Sequence, residues 1–340
     1  MVKYALLVGI NYVDSEYELK GSFNDVLLMQ RHLIDHEGFL ESNILILTDK
    51  PDDAVASSTD DAAVASTDDA NKSQFNATYN SIVTRIKEMI NISLDNDLLF
   101  FYFTGHGTQI ADENFDEEDN KDEVFVTSDY NEYVITDDFL KILLSKSEAT
   151  VFTLFDCCNS GTLCDLKYNY SLNPYSLNTK LAYKAGKKMA SISACSDSSD
   201  SYEKLYKVSD NKANWFSIFT YSLVEHLTNK KETFSSLIDN FKRNYKMKSS
   251  VISFSDLDMK NTGLFENYIP TASKTSSEND VNNDNNVDDR ISRLEKINKT
   301  LQKTIINKDL LLKKYKSILY IKDGNHNPFS SLLYSINSKN

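Results

Sequence analysis

The chain has 340 residues, 41% of them hydrophobic and 11% aromatic, so it can bury one large core or two modest ones. Its 9 Gly and 4 Pro argue against a fibrous or wholly disordered protein. The formal net charge of -13 argues against nonspecific binding to nucleic acid or to an anionic membrane, since both need surplus positive charge. Basic peptides or cations are therefore the expected partners.

Four cysteines do not make a disulfide framework for a chain of this length, and no charged-then-apolar leader begins at Met1. No apolar run approaches the roughly 18 residues that a membrane-spanning helix needs. These features predict a cytoplasmic protein that binds neither nucleic acid nor membrane.

Strand and helix patterns alternate along the first half of the chain, which predicts an α/β fold with a parallel sheet. Strands are predicted at 3–10, 44–47, 97–103, 149–155, 189–195 and 251–254, and helices at 21–38, 79–90, 215–227 and 234–247.

Several segments interrupt this pattern. Residues 51–75 form an acidic, nearly duplicated tract of small residues, and we expect a disordered insertion, with a repeated calcium-binding motif as the alternative. After a domain at 1–269, residues 270–289 read as a linker. Residues 290–322 read as a helix, either a short coiled coil that binds a partner or a second copy, chiefly through 290–320, or a helix packed on the main domain. Residues 323–340 form a tail.

Two predicted strands end in residues that can carry chemistry. The strand at 97–103 runs into Thr104-Gly105-His106-Gly107, and the strand at 149–155 runs into Asp156-Cys157-Cys158. Ligands bind at the carboxyl ends of parallel strands. Alone, the cysteines would be ordinary buried apolar residues and the histidine a structural one. Together, at a separation of 52 positions, His106 and Cys158 match the spacing of a caspase His and Cys.

The chain resembles the metacaspases, which are caspase-like cysteine peptidases, over roughly residues 3–266. The resemblance implies a caspase-like α/β/α sandwich with a mostly parallel central sheet, followed here by a C-terminal helical tail. The caspase signature Gln-Ala-Cys-x-Gly is absent. The matching motifs occur in family order: Tyr-Ala-Leu-Leu-Val-Gly-Ile-Asn-Tyr at 4–12, Leu-Lys-Gly at 19–21 with Asn24 and Asp25, Thr-Gly-His-Gly-Thr-Gln at 104–109, Asp-Glu-Glu-Asp at 116–119, Ile-Thr-Asp-Asp at 135–138, and Asp-Cys-Cys-Asn-Ser-Gly at 156–161.

The resemblance assigns the catalytic roles. Cys158 would attack the scissile carbonyl as a thiolate, and His106 would accept its proton and then protonate the leaving amine. Backbone N–H groups of Gly107 and Cys158 would stabilise the oxyanion. Cys158 is preferred over Cys157 because the family nucleophile directly precedes the x-Ser-Gly triplet, which leaves Cys157 facing the core.

The resemblance also implies a substrate pocket and a metal site. Asp25 and Asp156, with Thr104 where the family usually has Ser, would line a pocket that selects Arg or Lys in the substrate. Taken alone, Asp25 is a helix-start carboxylate and Asp156 a strand-end residue. A regulatory Ca²⁺ would be bound by four carboxylates, although an acidic run such as 112–123 is usually a solvated loop. The implied calcium ligands are Asp122, Asp137, Asp138 and Asp165.

These features predict a calcium-activated cysteine endopeptidase whose partners are protein or peptide substrates with Arg or Lys at the cleavage site. The resemblance also implies self-cleavage in the lysine-containing loop predicted at 166–188. Two departures favour an alternative, a catalytically weak or inactive scaffold: Asn159 stands where the family usually has His, and Ser22 where it often has Cys.

Overall fold

The computed structural model describes residues 1–49, 76–111, 121–158, 160–161, 164, 166–172, 175–179, 187–196, 201–209, 212–228, 230–244, 247 and 249–269. The segments predicted as insertion (51–75), linker (270–289), helix (290–322) and tail (323–340) lie outside these residues.

The strands in chain order are β1 (Lys3–Gly9), β2 (Ile44–Thr48), β3 (Leu98–Thr104), β4 (Gly107–Ala111), β5 (Lys121–Val126), β6 (Val134–Thr136), β7 (Thr150–Asp156), β8 (Tyr168–Leu172), β9 (Tyr175–Thr179), β10 (Met189–Ser193), β11 (Glu203–Ser209), β12 (Lys212–Ser217) and β13 (Val251–Phe254). The helices are α1 (Ser22–Glu37), α2 (Tyr79–Ile92), α3 (Asp137–Leu144), α4 (Ile218–Thr228) and α5 (Phe234–Arg243). Short 3₁₀ turns lie at Glu41–Asn43 and Leu257–Asn261.

Among the described residues, the central sheet has 8 strands in the order β2-β1-β3-β7-β10-β13-β8-β9. The strands from β2 to β10 run parallel, and β13, β8 and β9 are added antiparallel. The predicted α/β class with a mostly parallel sheet is confirmed.

The two central strands, β3 and β7, are buried along their whole length, as expected for parallel strands covered on both faces. Alternate residues of β3 enter two separate hydrophobic clusters. Phe100 and Tyr102 pack in a cluster that includes side chains of α1, α4 and α5. Phe101 and Phe103 pack in a second cluster with side chains of α2 and α3. Helices therefore cover both faces, which gives the predicted α/β/α sandwich.

The prediction of a loop over 166–188 is wrong for much of its described part, because β8 and β9 form a hairpin at the edge of the sheet. Tyr170 and Leu172 are both buried and lie two positions apart, so they share one face of β8. The polar residue Asn169 on the other face of β8 is buried as well, so burial along the strand does not follow the sequence pattern of polar and apolar residues. Residues 180–186 are outside the described part of the chain.

The structure also differs from the prediction at helix boundaries and in the smaller strands. Residues 215–217 belong to β12 and not to a helix, which begins at Ile218, and the helix predicted at 234–247 ends at Arg243. The β11–β12 hairpin and the small sheet β4-β5-β6 were not predicted. Long apolar runs reveal strands buried on two faces, but these strands are short or have mixed composition.

No helix among the described residues has the length and apolar character to cross a membrane.

Candidate active site

The candidate site lies where β3 and β7 end side by side. Their parallel register pairs Thr104 with Asp156, and the Gly105 N–H donates to the Asp156 carbonyl oxygen at 3.3 Å. His106 and Cys158 each lie two positions beyond the paired residues. The structure therefore brings the two predicted catalytic residues to neighbouring turns at one edge of the sheet.

Gly107 packs directly against the backbone of Cys158. A Cβ added at Gly107 would lie 2.1 Å from the Cys158 carbonyl oxygen and 3.0 Å from the Cys157 Sγ. Glycine is therefore required for the close approach of the turn after β3 to the turn after β7. The two predicted oxyanion residues are thus in contact.

The adjacent cysteines have different surroundings. Cys157 is fully buried, and burial, followed by the negative charge of Asp156, raises the pKa of its thiol well above the ordinary value. Cys158 is half-buried, and its Sγ accepts a hydrogen bond from the Ser201 N–H at 3.3 Å. A thiol must reach the substrate as a thiolate to react, so the geometry favours Cys158 over Cys157 as nucleophile.

The His106 ring is oriented by the turn that follows β1. Its Nε2 lies 2.8 Å from the Tyr17 carbonyl oxygen. A carbonyl oxygen can only accept, so the proton resides on Nε2 and the Nδ1 lone pair remains available in the neutral ring. The Tyr12 ring packs on the imidazole with ring centroids 4.7 Å apart.

The Tyr12 hydroxyl also fixes the backbone beneath His106. It accepts the His106 N–H at 2.9 Å and donates to the Val126 carbonyl oxygen at 2.8 Å. Tyr12 has a φ of 53°, a conformation that is rare for a bulky residue. The Asp49 carboxylate accepts the N–H groups of Asn11 and Val13 on either side. The surrounding structure thus holds Tyr12 in a conformation of the kind that clusters at functional sites.

Asp25 and Asp156 are both buried, with 0% and 3% of their surface exposed, and their negative charges interact. The Ser201 hydroxyl donates to Asp156 Oδ1 at 2.6 Å, and the Thr220 hydroxyl donates to Oδ2 at 2.6 Å. The Ser217 N–H lies 3.1 Å from each oxygen of Asp25.

Hydroxyl groups lie close to both carboxylates. The Thr104 side chain lies near enough to Asp25 and to Tyr102 to lower the pKa of both groups, against the larger effect of burial. The Tyr102 hydroxyl lies 2.7 Å from that of Thr220, which donates to Asp156. The structure therefore groups the three residues predicted for the pocket, Asp25, Thr104 and Asp156.

The pKa of Asp25 is raised well above its ordinary value. Burial is the main cause and the negative charge of Asp156 the next, while the Ser217 N–H opposes the shift. A cation placed between the two carboxylates would remove their repulsion, which makes the pocket suited to a basic group.

Sequence reasoning missed several residues that complete the site. Ser201, Glu203 and Ser217 belong to the hairpin and its flanks, far from the pocket along the chain. No local pattern reveals such contacts. Tyr102 could have been found, because it lies two positions before Thr104 on one strand and therefore on the same face.

The residues implied for calcium are only partly described. Asp122 lies on β5, and Asp137 and Asp138 form the first turn of α3, all three buried. Across the described residues, no three His, Cys, Asp or Glu side chains converge as a metal site. Asp165 lies outside those residues, so the four-carboxylate set stays a prediction.

A family model described as a metacaspase, peptidase C14 domain matches residues 3–167. Among curated proteins, "Metacaspase-1" of Scheffersomyces stipitis is 34% identical over 173 residues, which is 50% of this chain and 38% of that protein. "Metacaspase-1B" of Neurospora crassa is 31% identical over 211 residues, 61% of this chain and 44% of that protein. The chain thus matches less than half the length of these relatives.

The crystal structure of a protein from Geobacter sulfurreducens aligns with 79% of this chain and 100% of its own, with a TM-score of 0.52 and 19% identity. At this identity the similarity concerns the fold alone.

Proposed function

We propose that the protein is a calcium-activated cysteine endopeptidase that cleaves after Arg or Lys; the match of residues 3–167 to a model of the metacaspase, peptidase C14 domain supports this proposal. One observation carries the proposal: Cys158 and His106 follow paired strand ends directly beside two buried carboxylates. This combination provides a nucleophile, a base and a pocket for a cation at one edge of the sheet.

The first half of the reaction forms an acyl-enzyme. His106 accepts the thiol proton on Nδ1, and the Cys158 thiolate attacks the scissile carbonyl carbon. The N–H groups of Gly107 and Cys158 stabilise the oxyanion. The C–N bond then breaks, and the proton moves from His106 to the leaving amine.

The second half hydrolyses the thioester. His106 takes a proton from water as the water oxygen attacks the acyl carbon, and the sulfur leaves and regains its proton. The products are a free carboxyl group and the original thiol. Throughout, the contact between Nε2 and the Tyr17 carbonyl holds the ring with Nδ1 available.

Selection of Arg or Lys is supported by the charge of the pocket. A carboxylate oxygen has more than one acceptor site, so Asp156 can accept from a guanidinium in addition to Ser201 and Thr220. The substrate cation would also favour the charged form of Asp25, which burial disfavours. Binding of the basic side chain is therefore coupled to release of a proton from the pocket.

Activation by calcium is supported by the three buried carboxylates Asp122, Asp137 and Asp138. Val124 pairs with Thr136 in antiparallel register, so the backbone positions of Asp122 on β5 and of Asp137 and Asp138 at the start of α3 lie at one end of the small sheet. Carboxylate oxygens are the ligands that Ca²⁺ prefers, and a divalent cation offsets their mutual repulsion. With Asp165 they would hold the ion, which would neutralise their charge.

The test is hydrolysis of short fluorogenic peptides ending in Arg, Lys, Asp or Asn, with and without millimolar calcium. Cleavage after Arg and Lys that requires calcium and disappears in Cys158→Ala is the expected result. Asp25→Asn should raise KM for the basic peptides. Cleavage after Asp or Asn would overturn the proposed specificity.

Calcium binding has a readout apart from activity. Calcium should raise the thermal unfolding temperature of the full chain, and Asp138→Asn should weaken this rise. No cleavage of any peptide by folded protein would favour an inactive scaffold instead.

We propose a cytoplasmic location on the basis of the cysteine chemistry. The four cysteines are in the reduced thiol form, which suits the reducing cytoplasm.

A further inference from the structure

The Glu203 side chain joins the β11–β12 hairpin to the start of α1. Its Oε1 accepts the Gly21 N–H at 2.6 Å, and its Oε2 accepts the Lys20 N–H at 3.0 Å. Glu203 and Gly21 are 182 positions apart in the chain. The contact is therefore a product of the folded state.

This contact places a negative charge at a helix start that has no capping side chain at its N-cap position. Gly21, the residue that caps α1, has no side chain, and no side-chain cap bond is formed within the helix start. The first N–H groups of a helix need acceptors, and negative charge is favourable at this end. The Asn11 Oδ1 accepts the Phe23 N–H at 2.8 Å, and the Glu203 carboxylate supplies the negative charge from another part of the fold.

The β11–β12 hairpin contacts the start of α1 at three other points. The Asn24 side-chain amide donates to the Trp215 carbonyl oxygen at 2.8 Å, and the Ser217 N–H reaches the Asp25 carboxylate. The Lys20 Nζ lies 5.1 Å from the Trp215 ring centroid. Any rotation of α1 that moves Asp25 would therefore break several contacts with the hairpin at once.

The fit between hairpin and helix is tight. A Cβ added at Gly21 would lie 2.8 Å from Glu203 Oε1 and 3.1 Å from the Phe216 backbone. The residue two positions before Glu203, Ser201, contacts both Asp156 and Cys158. One short stretch thus touches the nucleophile, one pocket carboxylate and the helix that carries the other.

We propose that Glu203 is a positioning residue for substrate specificity, which clamps the start of α1 so that Asp25 stands opposite Asp156 at the distance that a basic side chain requires. It acts through Asp25 and does not itself bind the substrate. The inference rests on the proposed function for its consequence in catalysis, but the clamp itself can be measured without turnover.

The clamp is tested by amide hydrogen exchange on the full chain, read by mass spectrometry. Glu203→Gln removes the charge and turns an N–H group toward the helix start. It should speed exchange about tenfold or more in peptides covering residues 16–28 and 212–220, with β3 still protected. Asp35→Asn, which removes a charge from an exposed position of the same helix, is the matched control and should leave both peptides unchanged. Exchange that is unchanged in either peptide would overturn the clamp.

Measurement of KM and kcat distinguishes a positioning role of Glu203 from a role in the chemical step. For an Arg peptide, Glu203→Gln should raise KM about tenfold and keep kcat within about twofold, because binding weakens while the dyad stays in place. Glu203→Asp keeps the charge and should therefore reverse part of the increase in KM. If Glu203→Gln does not fold, Glu203→Asp takes its place in both measurements. A fall in kcat at constant KM would overturn the specificity role. An inactive wild type would refute the proposed function, and with it the kinetic consequence, while the exchange result would still decide the clamp.

Discussion

His106 takes its orientation from two oxygen atoms of the turn after β1, the Tyr12 hydroxyl and the Tyr17 carbonyl. The phenol is the more informative target, since it can be removed without changing the main chain. Burial raises the pKa of Tyr12 well above the ordinary value, so its hydroxyl keeps its proton and donates to Val126.

Tyr12→Phe keeps the ring that packs on His106 and removes both hydrogen bonds of the hydroxyl. We predict a loss of about 1–3 kcal/mol in the free energy of unfolding, because the buried partners lose a donor and an acceptor. A lower kcat should accompany it. Denaturant titration and peptide cleavage measure the two effects.

Tyr175→Phe is the control for this change. It removes a hydroxyl from an exposed ring on β9 and should stay within about 0.5 kcal/mol of the wild type. Equal stability of Tyr12→Phe and wild type would mean that the hydroxyl does not hold the turn.

Asp25 makes stability depend on pH in a direction opposite to that of a salt-bridged carboxylate. Because its pKa is raised in the folded protein, the folded state holds a proton that the unfolded chain releases near pH 3.8. Stability from this group is therefore lost as pH rises from 3.8 toward the raised value.

Asp25→Asn removes this titration. We predict that the free energy of unfolding of the variant, minus that of the wild type, grows more positive as pH rises through this window. Urea titrations across a pH series give the difference, and the neutral exchange Asn80→Gln on an exposed helix position is the control. A difference that falls with rising pH would show that the folded protein favours the charged form.

At the scale of elements, two glycines are needed for different reasons: Gly107 because there is no space for a side chain, and Gly38 because of its backbone conformation. Gly107→Ala places a methyl group against the Cys158 carbonyl, so the turns after β3 and β7 must move apart. We predict a fall in peptide cleavage of about 100-fold, since small displacements of reacting groups have large effects. Fluorogenic peptide assays measure it.

Gly38→Ala is the matched comparison. Gly38 ends α1 with a φ of 71° and has open space around it. Alanine there should cost about 1–2 kcal/mol of unfolding free energy and leave cleavage unchanged. If both variants lost activity equally, close contact at Gly107 would not be the reason.

Strands that are apolar along their whole length were predicted well from the sequence, and strands of mixed composition were predicted poorly. β3 and β7 are apolar throughout, so their bounds were found within a residue or so. The strands β11 and β12 have mixed composition, and their contacts with α1 depend on the whole fold.

The candidate site divides in the same way. The positions of Cys158 and His106 could be predicted because each lies two residues after an apolar strand, and the family resemblance supplied their expected roles. The residues that orient them could not, since Ser201 reaches Cys158 across 43 positions and Tyr12 reaches His106 across 94. The local pattern places these two residues at strand ends, and the tertiary structure supplies their surroundings.

At the scale of the molecule, a formal net charge of -13 should draw cationic peptides toward the acidic pocket. Salt screens such attraction, and the screening length falls from about 10 Å at 0.1 M to about 3 Å at 1 M. We predict that kcat/KM for an Arg peptide of net positive charge falls several-fold as sodium chloride is raised across this range. Alkylation of Cys158 by iodoacetamide, which is uncharged, should change little over the same range, because no long-range attraction assists it. A parallel fall in both rates would locate the salt effect in the site itself and not in the approach of the substrate.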